Sequence, residues 1–160
     1  MFYNAFMSSR YAFFAVLLAA CFLFGCQKKP DEYPLAGAPI GKPAETARIK
    51  EGSMFLRGLD DQRLDSLKLP NPYSDYVYVI SPGRHRLMGM NIQSGHFIAP
   101  SDLRCYSLEA ELQPGVEYLL DEDRQQQRAL LKRADTGIIV ASGEKYEQKE
   151  AYVGFCTWGK

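Results

Sequence analysis

Four cysteines and two histidines hold the most reactive side chains of this chain: Cys21, Cys26, Cys105, Cys156, His85 and His96. Structural zinc takes its ligands in pairs separated by roughly two to five residues. No two of Cys105, Cys156, His85 and His96 lie that close, so no metal site is expected. Cys105 and Cys156 are instead expected to pair as a disulfide if the chain folds in an oxidising compartment. The bridge would close a loop of 52 residues, both ends counted. Chain entropy for such a loop amounts to about 4 kcal/mol, nearer 2–4 in practice. Asp121, Glu122 and Asp123 carry hard oxygen ligands of the type that Ca2+ takes. They open the polar run Asp121–Gln127, which reads as an exposed loop or short helical turn. Arg84 and Arg86 alternate with His85 along one predicted strand. They form a small basic spot suited to phosphate or carboxylate, with solvated strand residues as the plain alternative. Gly-x-Ser-x-Gly, His-Glu-x-x-His and the phosphate-cradling Gly-rich loop ending in Lys-Ser/Thr are all absent from the sequence. The expectation is a non-enzymatic protein without cofactor or metal.

Charge narrows the partners. Nineteen basic and 19 acidic side chains cancel. A neutral chain lacks the basic excess that a broad grip on nucleic acid needs, so nucleic acid is excluded as a partner.

The apolar residues are unevenly spread. Twenty of the first 25 are apolar, including six of the nine Phe. Arg10 supplies a basic start, Tyr11–Phe24 is an unbroken apolar run, and Gly25-Cys26 follows. That order is a secretory signal. A membrane-spanning helix is the competing reading, because the uncharged stretch of 17 residues from Tyr11 to Gln27 sits at the lower edge of bilayer length.

Leu23-Phe24-Gly25-Cys26 resembles the lipobox of bacterial lipoproteins, with Phe24 larger than the family's usual residue at that place. The resemblance implies cleavage between Gly25 and Cys26, acylation of Cys26 and a membrane anchor through its acyl chains. Several chains are needed for lasting attachment, since each buried methylene contributes only about 0.8 kcal/mol. Gln27, in place of the Asp that retains such proteins in the inner membrane, implies the outer membrane facing the periplasm. Cys21 leaves with the signal.

Residues 26–46 read as a lipidated Cys followed by a tether. Pro30, Pro34, Pro39 and Pro43 recur every four or five residues with no apolar periodicity. Proline at that density favours extended polyproline II, which predicts a reach of roughly 60 Å for 20 residues.

Residues 47–160 have the size of one domain. Strands are predicted at Ala47–Lys50, Met54–Leu59, Arg63–Leu69, Asp75–Ile80, Arg84–Met90, Tyr106–Leu112, Val116–Leu120, Ala129–Lys132 and Ile138–Ala141, from period-two alternation and β-branched or aromatic content. Pro82-Gly83 and Pro114-Gly115 are read as hairpin turns, with Gly taking the positive φ. Asp135-Thr136-Gly137 is a further turn. No segment holds a long helical period. The fold expected is mainly β, an antiparallel β-sandwich. Tyr76, Tyr78 and Ile80 share one face, which is core if inward and an interaction surface if outward.

Val79–Leu87, Leu112–Tyr118 and Asp135–Ala141 together are similar to small uncharacterised envelope lipoproteins with a Pro-Gly-x-His … Gly-x-x-Tyr … Thr-Gly pattern. That resemblance implies an Ig-like or transthyretin-like sandwich and no activity. The leading functional reading is thus a lipid-anchored binding or structural module for another envelope protein or for peptidoglycan. The alternative rests on Ser142-Gly143-Glu144-Lys145-Tyr146, which resembles the Ser-Gly-x-x-Tyr loop of membrane-bound lysozyme inhibitors. There Ser142 and Tyr146 would enter the lysozyme cleft.

Overall fold

Alternating apolar residues in Ala47–Glu51, Glu117–Asp123 and Arg128–Arg133 place Ala47, Ile49, Tyr118, Leu120, Ala129 and Leu131 on one buried face. That pattern sets the architecture: strands half exposed on one side and curled around a shared core on the other. The computed structural model describes residues 30–64, 76–92, 103–145 and 156. Ten strands lie among the described residues. They are β1 (Asp31–Pro34), β2 (Ala47–Glu51), β3 (Phe55–Leu59), β4 (Gln62–Arg63) and β5 (Tyr76–Ile80). β6 (Gly83–Ile92), β7 (Leu103–Leu112), β8 (Glu117–Asp123), β9 (Arg128–Arg133) and β10 (Ile139–Lys145) complete the set. Among the described residues there is no helix, as the lack of a 3.6-residue period predicts.

All ten strands belong to one sheet, ordered β1-β5-β2-β8-β9-β10-β7-β6-β3-β4. The sheet is mixed, because β1 runs parallel to β5 and β2 parallel to β8. It is also curled. Ile49 of β2, Leu120 of β8 and Leu131 of β9 share one buried cluster with Leu56 of β3, Leu87 of β6 and Tyr106 of β7. The expected pair of antiparallel layers is therefore replaced by one ribbon of mixed direction bent into a half-barrel. Tyr76, Tyr78 and Ile80 face inward as core, not outward as an interaction surface.

The two Pro-Gly turns do not close hairpins. β5 pairs with β1 and β2, whereas β6 pairs with β3 and β7. Likewise β7 pairs with β6 and β10, whereas β8 pairs with β2 and β9. Gly83 (φ 130°) and Gly115 (φ 74°) do take the predicted positive φ. Ordinary Pro-Gly turns, however, splay their flanking strands, and tight hairpins favour the mirror-image types. Each turn here is a corner that carries the chain to another part of the sheet. The second corner is held by hydrogen bonds leaving the turn. The Gly115 N–H donates to Thr46 O at 2.9 Å, and the Gln113 N–H donates to the Tyr118 hydroxyl at 2.9 Å. A tyrosine bonded back to the backbone upstream of its own strand is a known device for such corners. The Asp135-Thr136-Gly137 turn does join a hairpin, β9–β10, with Gly137 at φ 70°.

The expected tether is also corrected. From Asp31 onward it is part of the folded body. β1 lies along β5 in register Asp31↔Tyr76 to Pro34↔Val79, Leu35 and Ala38 are buried, and Arg48 bridges to Glu32 at 3.3 Å. Proline density misleads here because β1 is an edge strand. Pro34 at its end costs no ladder hydrogen bond. Its neighbours Tyr33 and Leu35 then supply apolar anchors to the core.

The Asp121–Gln127 run is corrected in the same way. Asp121–Asp123 extend β8, and only residues 124–127 turn, capped by Asp123 Oδ1 accepting the N–H groups of Gln125 and Gln126. Of the predicted Arg63–Leu69 strand, Arg63 ends β4; residues 65–69 lie outside the described residues.

Candidate functional site

The inward faces of β7 and β8 each end in a charge. Counting back along β7, Leu112, Ala110, Leu108 and Tyr106 point into the core and Arg104 follows in the same period. Along β8, Tyr118 and Leu120 point inward and Glu122 follows. Curling the sheet brings the two ends together. Arg104 Nη1 lies 2.8 Å from Glu122 Oε1, with side-chain exposures of 4% and 0%. The Tyr106 hydroxyl donates to Glu122 Oε1 at 2.5 Å, and Asn91 Nδ2 donates to Glu122 Oε2 at 2.6 Å. Burial, with the Glu122 carboxylate accepting its proton in a hydrogen bond, pushes the Tyr106 hydroxyl well above its ordinary pKa.

A second layer closes over this pair. Gly52-Ser53, between β2 and β3, docks on the end of β8. The Gly52 N–H donates to Leu120 O at 3.0 Å, and Ser53 donates to Asp121 Oδ1 from both its N–H (2.9 Å) and its hydroxyl (2.8 Å). The Glu122 N–H donates in turn to Ser53 Oγ at 2.9 Å, and Asn91 Nδ2 reaches Ser53 O at 3.1 Å. Gly52 permits this approach: a Cβ there would fall 2.7 Å from Asp121 Oδ1 and 2.9 Å from Leu120 O. Lys132 Nζ holds the other Asp121 oxygen at 2.9 Å. Partial burial would raise the Asp121 carboxyl, but the bonds from Lys132 and Ser53 outweigh it and hold the group below its usual range.

Beside this junction Glu51, the last residue of β2, gathers three donors on Oε1: the Leu56 N–H (2.8 Å), Arg57 Nη1 (3.2 Å) and the Tyr78 hydroxyl (3.1 Å). Burial raises the Glu51 carboxyl above the ordinary carboxylate range despite Arg57 and the other donors. The acids at this end of the sheet thus serve as acceptors that fasten strand ends. Asp121 and Glu122, read in sequence as ligands for a hard cation or as solvated turn residues, are structural ties. No group of three His, Cys, Asp or Glu among the described residues could hold a metal ion.

Cys105 and Cys156 are bonded, with Cα atoms 5.8 Å apart, as expected from the sequence. Cys105 lies on the face of β7 opposite Tyr106. There it joins Met90 and Cys156 in a small second cluster, flanked by Ile92 and Leu103.

His85 is held at both ring nitrogens. Nδ1 lies 2.5 Å from Asp60 Oδ2, and Nε2 lies 2.8 Å from the Ser81 carbonyl oxygen. Both partners are oxygens of the fold itself, so the ring is fixed between the β3–β4 turn and the start of β6. The contact has a structural use. Asp60 (φ 47°) and Asp61 (φ 68°) form the β3–β4 turn with two left-handed non-glycine residues, a conformation that costs about 1–2 kcal/mol each. Asp60 offsets part of that by accepting from His85 and, at 2.9 Å, from the Arg86 N–H. Arg84 pairs with Glu109 across the β6–β7 ladder, and Arg86 pairs with Asp61. The expected basic spot is therefore charge-balanced. These exposed pairs are worth little in stability.

Ser142 and Gly143 lie inside β10, opposite Leu130 and Ala129, rather than on a projecting loop. A Cβ on Gly143 would sit 2.1 Å from Ser107 O and 2.4 Å from Leu108 Cβ. Close strand packing accounts for the glycine. We expect Gly143→Ala to cost about 1–3 kcal/mol, because the clash is with backbone that cannot rotate away. Ser142→Ala, at an exposed position, should stay within about 0.5 kcal/mol. Urea denaturation of both variants checks this, and equal midpoints would overturn the packing account. Next to this stretch Ile138, Ile139 and Val140 are exposed at the start of β10, where the β9 register shifts between Ile139 and Ala141. Tyr146, His96, Leu23, Gly25 and Cys26 lie outside the described residues. No helix among the described residues is long and apolar enough to cross a membrane.

No family model, curated protein or solved structure matches this chain.

The Arg104–Glu122 junction is the site that sequence reading passed over. Its signal was present: the alternation Tyr118, Leu120 continues to Glu122, and Leu108, Tyr106 continues back to Arg104. Two opposite charges at the ends of two apolar faces are a candidate buried pair.

Proposed function

We propose that this chain is a lipoprotein of the bacterial cell envelope, anchored through acyl chains on Cys26 and serving as a non-enzymatic binding or structural module. The observation that carries the reading is Leu23-Phe24-Gly25-Cys26 at the end of a basic-start apolar run. The sulfur pairing supports it. With Cys105 bonded to Cys156, Cys26 is the one cysteine after the cleavage point left for acylation. A buried disulfide also suits an exported protein. Gln27 favours the outer membrane, periplasmic side. A structural role is supported by the use of His85, Glu51, Asp121 and Glu122 as ties between strands. The partner class is another envelope protein or peptidoglycan.

Cys26→Ser tests the anchor. The wild type should partition with membranes and yield an N-terminal peptide beginning at Cys26 with its acyl mass. The variant should keep its signal and lose the acyl mass. An intact N-terminus in the wild type, or unchanged processing and partitioning in the variant, would overturn the reading.

A further inference from the structure

The docking of β1 decides how the body sits if Cys26 is acylated, a condition taken from the reading above. Only Gln27, Lys28 and Lys29 separate Cys26 from Pro30, where the described body begins. Four Cα steps of at most about 3.6 Å span roughly 14 Å, in place of the 60 Å of a free tether. The chain enters at a defined end of the sheet. Asp31 is level with Tyr76 through the β1–β5 register, Lys50 with Val77 through β2–β5, and Glu51 with Leu120 through β2–β8. Gly52-Ser53 and residues 121–127 extend beyond that level, on the side from which the leash arrives. The corners at Pro82-Gly83 and Pro114-Gly115 and the Asp135–Gly137 turn lie at the other end, since β5 reaches it at Ile80, level with Ala47, and Arg133 pairs with Tyr118 at the start of β8.

We infer that the domain rides directly on the bilayer, with the end bearing Ser53 and the Arg124–Gln127 turn against the lipid headgroups and the Asp135–Gly137 turn directed away. The chemistry of the near end suits that surface. Arg124-Gln125-Gln126-Gln127-Arg128 is polar, carries two cations and no apolar side chain, and all five residues are exposed. Asp123 turns its Oδ1 inward onto backbone N–H groups. Arg128 pairs with Glu144 at 3.2 Å, and Arg124, 64% exposed, lies 3.7 Å from the enclosed Glu122, which Arg104 already neutralises. Lys28 and Lys29 add two cations on the leash. Such a surface meets anionic headgroups and does not enter the acyl layer.

The test uses the full-length, membrane-extracted protein in vesicles of phosphatidylethanolamine and phosphatidylglycerol. A fluorophore is attached to one introduced cysteine, Gln125→Cys or Thr136→Cys, with the native disulfide left oxidised. A lipid bearing a quencher on its headgroup should quench the Gln125 label severalfold more than the Thr136 label. A flexible Gly-Ser insert of about 30 residues after Gln27, spanning roughly 30 Å, should make the two labels equal. Equal quenching without the insert, in protein whose N-terminal peptide carries its acyl mass, overturns the inference alone. Protein lacking acyl mass overturns the anchor reading and this inference with it.

Discussion

Glu122→Ala should cost about 3–5 kcal/mol of folding stability, seen as a large drop in the urea midpoint. The carboxylate is fully enclosed, and it is the acceptor for Arg104, the Tyr106 hydroxyl and Asn91. Removing it takes the Glu122 countercharge from the buried Arg104 guanidinium, the acceptor from the Tyr106 hydroxyl and one of two acceptors from Asn91 Nδ2. That penalty exceeds what the intact pair contributes, because an ion pair in low dielectric spends most of its attraction on desolvation. Two comparisons isolate the cause. Arg124→Ala removes a cation 3.7 Å from the other Glu122 oxygen but 64% exposed, and should be near neutral. Arg104→Met combined with Glu122→Leu removes both charges and should recover much of the loss. A Glu122→Ala cost below about 1 kcal/mol, against that range for broken buried pairs, would mean that the junction does not hold β7 to β8.

Cys156→Ala should cost about 2–4 kcal/mol, as should Cys105→Ala and the double variant, because the one bond is lost in each. The size follows from the sequence separation of 51 between the partners, which the bond ties together in the unfolded chain. The bond also pins Cys156 against Met90 and Ile92 of β6 and Leu103 of β7, so a local packing loss adds to the chain-entropy effect. With Cys105 1% and Cys156 4% exposed, reductant should reach the sulfurs slowly in the folded protein and rapidly in urea. Thiol titration over time reads the first expectation, and thermal melting of the three variants reads the second. Coincident melts of wild type and Cys156→Ala would remove the disulfide from the stability account. The Cys105 bond and the Arg104–Glu122 pair leave β7 on opposite faces one residue apart, so losing both should release the start of β7.

Local signals were sufficient for eight of the ten strands among the described residues and for the turn glycines, but not for β1 or β4. Period-two alternation marks β2, β3 and β5 through β9 to within a few residues, since each of these strands buries at least one face and that requirement is written in consecutive residues; β10, largely exposed, is marked by its β-branched run instead. Gly83, Gly115 and Gly137 occupy positive φ where the turn composition calls for it. The Cys105–Cys156 pairing was legible because two cysteines admit only one bridge. Strand partners were not legible. A Pro-Gly turn reads alike whether the next strand folds back beside its predecessor or crosses to a distant one, and long-range closure of the core selects the second course at both corners. The β1 segment looks like a linker because its prolines forbid helix, yet an edge position tolerates them and Leu35 finds a buried place. Asp121 and Glu122 look solvated because their partners, Ser53, Lys132, Arg104 and Tyr106, lie from 11 to 69 residues away. Sequence alone settles which residues face inward along a strand, because that is decided between neighbours. Which inward charges meet, and which segment covers an edge, is decided only when the sheet curls, because those contacts exist nowhere in the extended chain.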